Sequence, residues 1–537
     1  MAQFVRLGST TAVAVATMAW ITSAATVAAQ NVCDITVALS ATASSIDPHF
    51  HNLTPNSTIG EHIYNKLVLM DENLQVKPGL ATSWEVSPED PRVWTFHLRE
   101  GVTWHDGTPF SAEDVVFSYD RIPNVPNSPS SYAVYTKHVE KIEIVDPLTV
   151  RFTTKAVFPL MPQYAAAAAI VSRSAVDGRG TEDFNSGVAA IGTGAYRFKE
   201  YVPGEKVILE RNEAFWGDKP DAKTVEFRFI SNDATRVAAL RAGDVDLIDA
   251  VPTVDVEGLR AAEGIDIAAA AGVRNIYLFV DQGREETPFV TDKTGAAILN
   301  PLMDIKVRQA LSLAINRNAI VKAIMSGQAA PSSQLLPKGM TGHVDELDPP
   351  GFDPEKAKAL LAEAGYPDGF RVTVHGPNDR YVNDAEVVQA VAQMWARIGV
   401  EAEVDTMPAS VYFTKASKLE YTTGLLGWGT GTGEPDSPMA ALLATRDKDK
   451  GRGTANRSIY SNPEFDTLLD TALSEVDLEK RAAIYQDAIR VSMGDVAIIP
   501  LHHQFNIWAM RDGLSYIPRV DERTLAMGLT IGDEACD

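Results

Sequence analysis

The stretch FRVTVHGPNDRYVNDAEVVQAVAQMWARIGVEAEV, Phe370 to Val404, decides the fold. Phe370–Val374 alternates apolar and polar residues, as a half-buried strand does. Asp384–Ile398 sets Val387, Val391, Met394, Trp395 and Ile398 on one helical face, and Gly399 closes it. Val400–Val404 alternates again. Strand, helix and strand within about 35 residues make a βαβ unit, which needs a right-handed crossover to a parallel neighbour. The class is therefore α/β.

The surroundings extend this reading. Upstream, FDPEKAKALLAEAGY has Asp353 as N-cap, Pro354 at the first helical position and Gly365 as stop. Its apolar stripe is Ala357, Leu360, Leu361 and Ala364. Downstream, Pro463–Leu473 and Asp477–Ser492 read as helices. The chain up to about residue 230 is richer in strands: TVRFTT, GAYRFKEY, VILER and TVEFRFI. At 537 residues the chain exceeds one hydrophobic core, and about 150 residues per domain suggests three or so lobes.

Acidic residues outnumber basic ones 71 to 48, a formal charge of −23. Such a surface repels nucleic acid, whose binding needs clustered Lys and Arg. The N-terminus carries one positive charge, Arg6, followed by the uncharged TAVAVATMAWITSAATVAA and small residues at Val27 and Ala29. This reads as a secretory signal over residues 1–29, cleaved before Gln30, rather than a lasting anchor. Cys33 follows QNV, not the small-residue box of a lipid anchor. The only other cysteine is Cys536. In an exported chain a Cys33–Cys536 disulfide tying the two ends is predicted, two unpaired thiols being the alternative.

Enzyme signatures are missing: no GxSxG elbow, no HExxH helix and no GxxxxGK loop. His502 and His503 are neighbours on a predicted strand and so face opposite ways. His49 and His51 share a face but have no third ligand, so no metal is expected. LLGWGTGTGEPDSP, Leu425–Pro438, has glycine at every second position from Gly427 to Gly433. Without a following lysine it is a poor phosphate cradle. Trp428 before it and Glu434–Asp436 after it suit a backbone that approaches something closely.

Four segments carry a resemblance. They are VKPGLATSWEVSPEDPRVWTFHLREGVTWHDGTPFSAEDVVFSYDR (Val76–Arg121), IGTGAYRFKEYVPGEKVILERNEAFWG (Ile191–Gly217), RVAALRAGDVDLIDAVP (Arg236–Pro252) and DIKVRQALSLAINRNAIVKAI (Asp304–Ile324). Together, in this order, they resemble the extracytoplasmic solute-binding proteins of peptide/nickel-type ABC transporters. Read locally, the same segments build scaffold: Trp94–Leu98 alternates as a strand, Ser111 caps a helix with Asp114 as acidic partner, and Asp304 caps another.

The resemblance implies a two-lobed periplasmic-binding-protein fold with a hinge and an additional subdomain in the first lobe. Lobe I would comprise residues 30–289 plus 510–537, with the subdomain at about 71–190, and lobe II residues 290–509. It implies a periplasmic, cofactor-free, monomeric binder that is no enzyme. The binder would enclose a peptide or peptide-like solute and deliver it to membrane permease subunits powered by a separate ATPase. A nickel chelate, haem, opine or sugar is the alternative solute. In peptide-binding relatives an aspartate three residues after the tryptophan pairs with the peptide ammonium; here that position is Gly431, with Glu434 or Asp436 as substitutes. An arginine that takes a ligand carboxylate falls at Asn378, with Arg380 two residues on. Trp428, Gly429 and Tyr381 would line the cleft. SSIDPHF, with Ser45 and His49, resembles the first-lobe cleft loop.

Overall fold

Two long antiparallel strands, Ile265–Val280 and Ile499–Arg511, run through the whole molecule. They belong to a computed structural model that describes residue 1 and residues 33–532; the expected signal segment and Cys536 lie outside the described residues. The pair runs in register from Ile265 opposite Arg511 to Leu278 opposite Ile499, with a shift between Ala271 and Asn275. At one end, Leu247–Ile248 pairs with Ala509 and Met510 and leads on to Asp34–Leu39, Thr224–Phe229, Lys206–Arg211 and Tyr196–Val202. At the other, Thr423–Trp428 pairs with Asn275–Val280 and leads on to Arg371–Pro377. The register shift therefore falls where the sheet changes from one set of flanking strands to the other.

The βαβ unit forms as its periodicity requires. Arg371–Pro377 lies parallel to Glu401–Met407 with Val374 opposite Val404, joined by the helix Asp384–Ala396. Val387, Val391, Trp395 and Ile398 are buried, Met394 packs at their edge, and Trp395 donates its indole N–H to the Leu311 carbonyl. The Asp353 side chain accepts from the Lys356 amide and starts the helix Pro354–Glu363, which Gly365 stops at φ +92°. Ser111 and Asp114 form the capping box of the helix Ala112–Arg121.

Separate apolar cores mark the lobes. One gathers Val37, Tyr196, Val225, Trp508 and Met510. Two lie at the far end, around Leu278, Val307, Val374 and Trp395 and around Tyr277, Tyr412, Phe465 and Tyr485. A fourth belongs to a small antiparallel sheet of Ala81–Val86, Val93–Leu98, Thr149–Thr154 and Val139–Asp146, packed on Trp94, Phe96, Trp104 and Phe152. This is the additional subdomain of a two-lobed α/β fold. Cys33, just before the first strand, is buried, and no described cysteine is a free thiol. Among the described residues, no helix is long and apolar enough to cross a membrane.

Candidate functional site

Two parallel strands, Arg371–Pro377 and Thr423–Trp428, end side by side. Open α/β sheets bind ligands beyond such carboxyl ends. Trp428 ends one strand, and Tyr381 follows the other. The Tyr381 hydroxyl donates to the Gly427 carbonyl at 3.2 Å, and a Cβ on Gly427 would sit 2.7 Å from the Tyr381 ring. Gly427 is thus needed for ring-on-strand packing. Gly433 has φ +75°, and a Cβ there would meet the Leu74 carbonyl oxygen at 2.6 Å. The glycine loop is therefore a close-packing device at Gly427 and Gly433. Gly427 and Gly429 border a chamber of about 440 Å³ beside Trp428. Gly431 is exposed, with no described atom within 4 Å of where its Cβ would be.

The carboxylates after the loop behave differently from the sequence expectation. Glu434 is buried and held by Arg481 in two 2.8 Å hydrogen bonds, while Gln163 from the small-sheet subdomain donates a third at 2.8 Å. A carboxylate so engaged is not open to a solute ammonium, which corrects Glu434 as an amine partner: its charge is neutralised by a guanidinium buried with it. The triad instead joins the small-sheet subdomain to the helix that carries Arg481. Asp436 is also buried; Thr432 donates to it, and it has no cation of its own among the described residues. Burial pushes its carboxyl up to about 7, opposed by the Thr432 hydrogen bond and reinforced by the Glu434 charge. Asp436 does not border the Trp428 chamber.

Arg380 and Asn378 are exposed at the edge of the cleft. Arg380 borders the Trp428 chamber, with its guanidinium 5.2 Å from the Tyr381 ring centre. Asn378 contributes its amide to the Met407 carbonyl and borders none of the described cavities, so the arginine is the better placed of the two. Ser45 and His49 are corrected in the other direction. Ser45 donates to Asn185, and His49 bonds the Ala169 carbonyl and Arg121, whose guanidinium also grips Asp47. Both are buried and border no described cavity. Burial, and then the nearby Arg121 charge, lower His49 to about 4, so it is neutral scaffold. His502 and His503 are buried in the long strand and likewise neutral, lowered by burial to about 4 and about 3.

Sequence reasoning missed four contributors: Asn383, Gln504, Arg274 and Arg457. A second chamber of about 640 Å³ lies between the ends of the first-lobe strands (Leu39–Ala41, Asp249–Val254) and Tyr381–Asn383. Asn383, at φ +54°, donates to Thr253 across it at 3.3 Å. Gln504, buried on the long strand, borders this chamber, and its amide nitrogen has no described partner. Arg274 and Arg457 border the Trp428 chamber together with Phe413. Arg274 could have been sought at the break in alternation of the long strand. Arg457 sits in an aperiodic loop that offers no sequence signal.

A sheet crossed by two long strands, two flanking lobes and an inter-lobe cleft define the periplasmic-binding-protein class. Residues 75–450 match the family of bacterial extracellular solute-binding proteins, family 5 (middle), and the chain belongs to that family. It is 31% identical to the dipeptide-binding protein of Escherichia coli over 465 residues, covering 81% of this chain and 82% of that protein. It is 30% identical to the glutathione-binding protein GsiB of Pectobacterium atrosepticum, covering 85% of each. In three dimensions it resembles the periplasmic binding protein DppA of Helicobacter pylori in complex with peptide STSA: TM-score 0.72, 25% identity, 93% of this chain and 98% of that one. The chain is thus an extracellular solute-binding protein, a class that captures solutes and does no chemistry on them.

Proposed function

We propose that this protein captures a peptide or peptide-like solute between its lobes in the periplasm and hands it to the permease subunits of an ABC importer. The supporting observation is the cleft itself. Tyr381, at a carboxyl end of the sheet, faces the first-lobe segment Asp249–Val254 across a chamber of about 640 Å³, and it also borders the chamber of about 440 Å³ beside Trp428. We place the hinge at Gly272–Arg274 and Gln504, where the long strands lose register and the flanking cores change, earlier in the chain than the boundaries 289/290 and 509/510 drawn from sequence. Closure about these strands excludes water and presents one composite surface to a permease.

In this reading residues 1–29 are removed on export, Cys33 pairs with Cys536, and the mature chain acts as a monomer without cofactor. Trp428, Gly429, Tyr381 and Arg380 form the second-lobe wall. Gly431 leaves open space where a peptide's ammonium would want an acid. A non-peptide solute is the second reading, and it is favoured by that gap together with the engagement of Glu434 by Arg481.

The test is thermal unfolding of the mature protein with a panel of di- and tripeptides. A ligand at 100 times its Kd stabilises by about 2.7 kcal/mol. A peptide that raises Tm, leaves the incubation intact and loses about tenfold or more in affinity with Trp428→Ala fits the proposal. Peptide cleavage, or a Trp428→Ala variant that binds unchanged, contradicts it.

A further inference from the structure

The whole chain carries a formal charge of −23, yet the chamber beside Trp428 is bordered by three guanidinium groups, Arg274, Arg380 and Arg457. Among the described residues bordering it there is no carboxylate. All three cations lie within electrostatic reach of one atom, the Tyr381 hydroxyl. Among the described residues, Arg274 alone of the three is ion-paired, to Glu522 at 3.0 Å. Arg457 spends its terminal nitrogens on the Ala455 carbonyl and the Ser417 hydroxyl, while its Nε is buried with no described partner. The remaining walls are the flat faces of Trp428, Phe413 and Tyr381.

Like charges converging on a cavity repel one another. An oxyanion relieves that repulsion, because guanidinium forks match carboxylate and phosphate in bidentate geometry. An ammonium placed there would meet three cations and no acid. Resting on the solute-binding reading above, we propose that the Trp428 chamber is an oxyanion site, and that the solute presents an acidic head group, with no free ammonium, to Arg380, Arg457 and Tyr381. The overall acidity of the protein gives this chamber selectivity: it is a local positive well on a surface that otherwise repels anions. A solute with a second acidic group gains further from Arg274, whose charge Glu522 only partly offsets.

The test uses four probes by isothermal titration: N-acetyl-glutamyl-phenylalanine, its dimethyl ester, free glutamyl-phenylalanine, and N-acetyl-phosphoseryl-phenylalanine. The expected result is that the acetylated diacid binds at least about tenfold more tightly than the ester and than the free amine, and that Arg457→Gln and Arg380→Gln each remove about tenfold of that affinity. Preference for the phosphoseryl probe also supports an oxyanion site and names phosphate as the head group. An ester that binds as well as the acid, a free amine that binds best, or no binding by any acidic probe at millimolar concentration overturns the proposal. The solute-binding reading is judged separately, by whether any small solute co-purifies with the protein.

Discussion

Asp436→Asn is expected to raise stability at pH 8 and to flatten its pH dependence. The folded protein holds a proton on Asp436 up to about 7, against an ordinary value of 3.8. The cause is burial, with the negative Glu434 nearby, opposed by the Thr432 hydrogen bond and by the backbone amides of Asp436 and Ser437. Between those two values the folded state binds more protons than the unfolded chain, so stability falls as pH rises. The contribution is fully present below about pH 4 and is lost by the time pH passes about 7. A gap of about 3 pH units corresponds to at most about 4 kcal/mol. Asparagine keeps the shape and can accept the Thr432 hydrogen bond but does not ionise. Urea unfolding at pH 5 and pH 8 of the native chain and the variant gives four free energies. The native chain should lose more between the two pH values than the variant, by up to about 3 kcal/mol, since only about 2 of the 3 units lie between pH 5 and pH 8. Identical pH dependence in the two proteins would show that Asp436 ionises normally, and the description of a cation-free buried carboxyl would be wrong.

Three further outcomes follow from other contacts. Glu434→Gln leaves the Arg481 guanidinium buried without its carboxylate and should cost about 3–5 kcal/mol in urea unfolding, an unchanged midpoint being the contrary result. Gly433→Ala forces a side chain into φ +75° against the Leu74 carbonyl and should cost about 1–3 kcal/mol, whereas Gly431→Ala, with open space around it, should cost little; equal losses by calorimetry would contradict the packing argument. Thiol titration of the unfolded, unreduced mature chain should find no reactive cysteine, and reduction should release both; free thiols before reduction would dismiss the terminal disulfide.

Local structure was legible because it is written in periods and caps. Val387, Val391 and Trp395 recur at helical spacing and are buried, and Asp353, Ser111 and Asp304 cap the helices they precede. That Trp428 and Tyr381 border one chamber was legible too, because both lie where two predicted elements end. The charged parts of the site were not. Glu434 reads as a free acid beside the glycine loop, but its partner Arg481 is 47 residues away on the helix Leu478–Gly494, and Gln163 is 271 residues away. Arg274 and Arg457 come from a strand and a loop far apart in sequence, and only the folded sheet brings them to Tyr381. Ser45 and His49 misled because a loop can keep its sequence pattern while turning its side chains inward, here onto Asn185, Arg121 and the Ala169 carbonyl.

Native mass spectrometry of the exported protein, taken straight from its host and again after incubation, bears most directly on capture without chemistry. The account predicts one small solute per chain, lost when the protein unfolds and recovered at the same mass after hours with the folded protein. A solute that returns with altered mass, or a protein that carries and accepts none, would contradict it.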